Sequence, residues 1–240
     1  MLRSLKTLQG YNVTTLDGPL GTVVDFYLGD VSLAVRYVVV DTGKLFSGRK
    51  VLLSPTALGE PDWATKALPV NHTREQVRTS PSIDLHKPVS RLQEEALHKH
   101  YAWTAYWAPS VPVGVSAPGE EKTPSKEDEV KSNLRSLSEV IGYKVGSLDG
   151  EAGTLDDFIV DDEQWVLRML VVNTGGPVLA KPVVLTIRWV GRFSWDESTV
   201  FIDKQREDVA EAPTFDPTEP INEEVETRFY DYFGRLAGKI

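Results

Sequence analysis

The chain has 240 residues, no cysteine, 41% hydrophobic and 25% charged residues, and a formal net charge of −9. This length and composition allow two globular cores, and the missing thiols exclude disulfides and thiolate chemistry and fit a reducing compartment. The acidic balance argues against broad nucleic-acid binding and against docking on anionic lipid, and no segment approaches the ~18 apolar residues of a membrane span or carries a signal-peptide core.

Residues 1–8 are a short Leu-containing opening before Gly10-Tyr11. From Tyr11 to Leu16 the period-two pattern predicts a strand. Asp17-Gly18 is a hairpin signal, because glycine reaches φ > 0 without a steric cost. A return strand is predicted over 21–28, a turn at Gly29-Asp30, and a valine-rich strand over 33–41. The end of that strand lacks alternation, which implies burial on both faces. A fourth strand covers 50–54, stopped by Pro55, and a weaker one lies near 66–70. Thr73 then offers an N-cap with Gln76 at the third position after it. Residues 90–100 read as a helix following Pro88, with Leu92, Ala96 and Leu97 on one face. Residues 108–131, rich in Pro, Ser, Glu and Lys, read as a flexible linker.

The pattern then begins again, 132 residues on. Arg3-Ser4-Leu5 matches Arg135-Ser136-Leu137, and Leu16-Asp17-Gly18 matches Leu148-Asp149-Gly150. Asp25-Phe26 matches Asp157-Phe158, Arg36 matches Arg168, and Trp63 matches Trp195. Nearly half of the positions in 3–43 are identical without a gap. A period of this length is a domain and not a solenoid unit, so the chain reads as a tandem duplication. In the second copy strands are predicted over 183–187 and 199–203, with Trp189, Phe193 and Trp195 between them. A helix is predicted over 221–233 with Val225, Phe229, Tyr232 and Phe233 as its buried stripe. Five or six short strands with glycine turns in each copy predict an all-β fold with short helices, built as two small antiparallel barrels. The domain boundaries are 1–107, 108–131 and 132–240, and each barrel is followed by a helical segment.

Several runs resemble the PRC-barrel domain. They are Gly10-Tyr11-x-Val13, Leu16-Asp17-Gly18-x-x-Gly21-Thr22-Val23-x-Asp25-Phe26 and Arg36-Tyr37-x-Val39-Val40-Asp41-Thr42-Gly43, with the counterparts in 142–175. The stretch 84–107 resembles the tail of stand-alone bacterial proteins of that family. The resemblance implies two PRC-type β-barrels that dock on something larger. In the reaction-centre H subunit such a barrel caps a membrane complex and influences electron and proton transfer to quinone. In the ribosome maturation factor RimM it helps engage a ribosomal partner. The chain departs from both, lacking the H subunit's membrane helix and RimM's preceding RNA-associated domain, and no functional residue of either transfers by motif. The function expected is a non-enzymatic protein-binding or assembly module, with an accessory role in membrane electron transport as one form of it and an RNA- or ribosome-associated factor as the alternative. The expected location is the cytoplasm or the cytoplasmic face of a membrane.

No catalytic, cofactor or metal residues are assigned. Asp17, Asp25, Asp149 and Asp157 recur in both copies. They read as a cation or proton site, or as turn and backbone anchors with Asp25 and Asp157 bound to a backbone amide or paired with Arg36 and Arg168. His72, His86, His98 and His100 read as surface histidines, since none recurs. The turn glycines lack a phosphate-cradle lysine, and no Gly-x-Ser-x-Gly elbow appears. The candidate partner contact is the aromatic group Tyr101, Trp103, Tyr106 and Trp107; the alternative is that these rings fold back on the first barrel. A protein partner or self-association is expected, and nucleic acid is not.

Overall fold

The computed structural model describes residues 1–30, 32–46, 48–82, 89–107, 134–175 and 181–237, with side chains to 234. The linker assigned to 108–131 and the histidine at 86 lie outside the described residues.

The first copy contributes β1 (Leu2–Ser4), α1 (Leu5–Leu8), β2 (Asn12–Thr15), β3 (Gly18–Gly29), β4 (Val35–Asp41), β5 (Lys50–Leu53), β6 (Ala67–Pro69), α2 (Arg74–Arg78) and α3 (Arg91–Tyr101). The second contributes β7 (Leu134–Ser136), α4 (Leu137–Val140), β8 (Lys144–Ser147), β9 (Gly150–Asp161), β10 (Val166–Asn173), β11 (Pro182–Thr186), β12 (Val190–Ser194), β13 (Thr199–Ile202), α5 (Arg206–Ala210) and α6 (Glu223–Ala237). The predicted strands and helices are therefore present within a few residues of their expected bounds. The main omission was the opening of each copy, where a three-residue strand runs into one helical turn.

The strands form two sheets, ordered β5-β4-β3-β2-β6 and β11-β10-β9-β8-β13-β12. Neither sheet is closed into a barrel. Nor is either purely antiparallel: β2 pairs with β6, and β8 with β13, in parallel. A parallel neighbour needs a crossover of a dozen or so residues in place of a hairpin, and the chain from β2 to β6, by way of β3, β4 and β5, supplies one.

The two copies exchange their first strands. Strand β1 of the first copy pairs with β9 of the second, Leu2 opposite Asp161 and Ser4 opposite Ile159. Strand β7 of the second pairs with β3 of the first, Leu134 opposite Gly29 and Ser136 opposite Tyr27. Each of these pairs maps onto the other under the 132-residue shift. A two-fold relation therefore links the halves. Its centre is the Ala34–Val166 bridge. There the Val35 amide donates to the Trp165 carbonyl at 2.8 Å, and the Leu167 amide donates to the Leu33 carbonyl at 2.9 Å. Leu33 and Trp165, equivalent positions, both adopt positive φ, at 47° and 55°.

The exchange is held by apolar burial and by a carboxylate. Leu2, Leu5, Leu8, Leu134, Leu137 and Val140 are all buried, each contributing about 2 kcal/mol of transfer free energy. One extra residue, Val24 in β3 and Asp156 in β9, bulges each long strand. Beside each bulge an aspartate reaches the visiting segment. Asp157 accepts from the Ser4 hydroxyl, the Lys6 amide and its own neighbour's amide at Phe158. Asp25 accepts from the Ser136 hydroxyl, the Ser138 amide and the Phe26 amide. Ser4 and Ser136 are in turn the N-caps of α1 and α4. The backbone-anchor reading of these aspartates is correct, and each also reaches the other copy, through one amide and one hydroxyl. The alternative, pairing with Arg36 and Arg168, does not occur: Arg168 pairs with Asp161 at 3.0 Å, and Arg36 lies over Tyr106. Asp17 and Asp149 do serve the hairpins, bonding to Thr15 and Ser147. They also accept the first amides of α2 and α5, from Arg74 and Arg206.

The apolar core is continuous across both halves, running from Leu2 through Phe26 and Trp165 to Phe233. The ring of Trp165 stacks on Phe26 of the other copy at 6.3 Å. Strand β4 is buried on both faces, as its missing alternation implied. Val38 and Val40 enter this core, while Tyr37 and Val39 join a second cluster with Leu52, Leu97 and Leu134 under α3.

Gly153 sits where β9 passes β10. A Cβ there would lie 2.3 Å from the Asn173 carbonyl oxygen, and φ is +150°. Gly153→Ala is expected to cost about 3 kcal/mol, seen as a lowered denaturation midpoint; Gly142→Ala, with open space around it, meets only the φ penalty and is expected to cost less.

Candidate functional site

Helix α3 lies on the outer face of the first sheet. Ser90 and Gln93 close a capping box at its start, and Ala102 in the left-handed region (φ 55°) turns the chain back at its end. That reversal lays residues 103–107 along the groove between α3 and the sheet. Trp103 stacks on Tyr101 with centroids 4.3 Å apart, and both rings lie against His72, at 5.8 and 4.6 Å. The Arg36 guanidinium lies 4.0 Å from the Tyr106 ring centroid. Arg91 lies 4.1 Å from that of Trp107. Such stacking suits a planar cation on an aromatic face.

Beneath the rings lies a polar network. Glu94 is 1% exposed and accepts from the Tyr37 hydroxyl at 3.1 Å and from Tyr106. Tyr37 also meets His98 Nε2 at 2.9 Å, and Arg91 pairs with Glu94 at 3.2 Å. Burial raises the Glu94 carboxyl above its ordinary value against the pull of Tyr106 and Arg91. Burial likewise raises the phenols of Tyr37 and Tyr106 and lowers His98 and His72. In this desolvated setting the neutral forms are favoured. His72 and His98 are thus buried members of an aromatic cluster and not the surface residues expected. All four aromatic residues, Tyr101, Trp103, Tyr106 and Trp107, are half-buried against their own half of the chain.

The second copy has the same groove in a different state. Under the repeat, α6 stands where α3 stands. His100 Nε2 meets the Gln76 carbonyl at 2.8 Å, and at the equivalent positions Tyr232 donates to the Asp208 carbonyl at 2.8 Å. Here the described residues leave an open cleft of about 560 Å³. Its walls include Arg168, Arg188, Trp189, Lys204, Tyr230 and Phe233. Three cations therefore stand around three rings, with Asp203 the carboxylate in the wall. Lys204 Nζ is 5.2 Å from the Trp189 ring, which meets Phe233 edge-on at 5.3 Å. Tyr230 is 47% exposed, whereas His98 at the same position of the first copy is 7% exposed. Among the described residues no group of three or more His, Asp or Glu is placed to hold a metal ion, and no helix is long and apolar enough to cross a membrane.

Sequence reasoning found the aromatic segment of the first copy but not this cleft. The signal was in the register: the tail 103–107 aligns with Arg-Leu-Ala-Gly-Lys at 235–239, which has no ring to place in the groove.

Fold and site together define a duplicated, strand-exchanged β protein with one groove occupied by its own chain and one left open by the described residues. A scan against models of protein families finds no match, and neither does a search of curated proteins.

Proposed function

We propose that the chain is a non-enzymatic protein-binding module built from two PRC-type β units, and that its working surface is the open cleft of the second copy. The observation that carries this reading is the pair of equivalent grooves. One holds a protein segment, Trp103 to Trp107, while in the other, walled by the equivalent positions with different side chains, the described residues leave Tyr230 uncovered. Rings and cations around a concave site are groups that hold a ligand. The PRC-type assignment rests on the repeated turn glycines and Asp-Phe pairs, and it favours attachment to a larger assembly, with an accessory of membrane electron transport as one such setting.

A photo-crosslinking residue in place of Tyr230 tests the reading in extract of the native host. The expected result is a defined protein adduct whose yield falls when Arg188→Glu is introduced into the same cleft. No adduct, or an RNA adduct removed by nuclease, overturns it.

A further inference from the structure

We propose that the seam between the two copies selects unlike halves: the surface that a first copy presents fits a second copy and not another first copy.

Much of the seam cannot make this choice. The Leu-Arg-Ser-Leu openings are identical, and Asp25 and Asp157 hold them through equivalent serine hydroxyls. A half meeting its own kind would keep these contacts. Since every chain carries one half of each kind, like-with-like pairing can join chain to chain in an open series.

The positions at the centre of the two-fold break the symmetry. Trp165 of the second copy stacks on Phe26 and borders the same cavity as Pro55 and Leu58 of the first. Its equivalent, Leu33, has no ring to offer Phe158. Phe158 instead meets Phe193 of its own copy at 6.4 Å, where the first copy has Pro61. Phe26 thus takes its neighbouring ring from across the seam, and Phe158 takes one from home. A pair of first copies would set Leu33 beside Phe26 on both sides, short of a ring's volume each time. A pair of second copies would bring a Trp165 ring to each Phe158, which already packs on Phe193, and so would overfill the site. The central bridge follows the same logic. Ala34 lies opposite Val166, small against large; like pairs would set alanine on alanine or valine on valine. At the edge of the seam, Lys6 pairs with Asp156 at 2.9 Å. The equivalents of these two residues are Ser138 and Val24. Two first copies would therefore set Lys6 against a valine, and two second copies would set Asp156 against a serine. Both charged side chains are partly exposed, so this ion pair adds less than the packing does.

In the intact chain the tether favours the half on the same molecule whatever the seam prefers, through effective concentration. The test therefore cuts the full-length protein once, at a site-specific protease sequence placed within residues 108–131. Both halves are unfolded in urea and refolded together in one solution, and native mass spectrometry counts first–second, first–first and second–second pairs. Unlike pairs are expected to exceed the statistical mixture by about tenfold or more. Trp165→Leu, which makes that position the same in both copies, should bring the counts back toward the statistical mixture. Leu33→Trp should act as a gain. It gives a first copy the ring that Phe26 accepts, at a position whose equivalent holds Trp165 in the same positive-φ conformation. First–first pairs should then become the majority. Statistical counts from the native halves, an undiminished preference for unlike pairs after Trp165→Leu, or no first–first pairs from Leu33→Trp would each overturn the proposal. So would failure of the cut native protein to reassemble. Where Trp165→Leu halves do not reassemble, Leu33→Trp, which truncates nothing, decides.

Discussion

Stability should fall as the pH rises from about 5 to about 8, and Asp157→Asn should flatten that slope. Asp157 is 2% exposed where the first copy's opening segment enters the second sheet. Burial pushes its carboxyl up to about 7, against the opposing effects of the Ser4 hydroxyl and the Lys6 and Phe158 amides. In the unfolded chain the same group titrates near 3.8. Between these two values the folded state holds a proton that the unfolded state has released. The contribution is therefore fully present below the unfolded value and is lost as pH rises through about 7. A shift of this size corresponds to at most about 4 kcal/mol. Glu94, also raised by burial, acts in the same sense. On the acid side Asp17, Asp149 and Asp216 are lowered, chiefly by hydrogen bonds. Their support disappears as pH falls through their own folded values, so the stability maximum is expected between about pH 4 and 6. Urea midpoints across that range, for the native chain and for Asp157→Asn, check the claim. A native profile that rises steadily from pH 5 to 8 would contradict it.

Trp165→Ala should lower the stability of both copies together. The Trp165 side chain is 3% exposed and packs on Phe26 across the two-fold centre. Truncating a buried tryptophan typically costs about 3–5 kcal/mol in transfer and cavity terms. Because the apolar cluster runs through both halves and each half holds a strand of the other, a two-step unfolding has no place to divide. Denaturation followed by residue-resolved NMR should give one midpoint for strand β4 and strand β10, and the substitution should move both equally. Two separate midpoints, with only the second copy shifted, would mean that each half is complete without the other.

The turns and long strands were legible because their chemistry is local. Asp17-Gly18 and Asp149-Gly150 announce hairpins, and Gly18 and Gly150 both take φ of 137° as those turns need. The helices were legible from Thr73, Pro88 and their apolar stripes. The fate of Leu2–Ser4 was not. Leu2-Arg3-Ser4 and Leu134-Arg135-Ser136 are identical, so the local pattern does not say which of the two long strands each segment joins. The same ambiguity hid the copy that Asp25 and Asp157 reach, because the Ser136 and Ser4 hydroxyls they bind lie more than a hundred residues away. The candidate site was half legible. Four aromatic residues in seven positions marked the filled groove, whereas the cleft of the second copy is walled by residues scattered from Arg168 to Phe233 that form no local pattern. Tyr230, exposed, and His98, covered, look alike as isolated letters.

The reciprocal exchange has a consequence for how such a chain diverges. A one-copy ancestor completed in this way would be an obligate homodimer, in which every substitution is felt twice, once on each side of the axis. Covalent fusion ends that constraint. Ala57 and Trp189, or His72 and Lys204, can then differ, and one groove can be sealed by its own tail while its twin stays available.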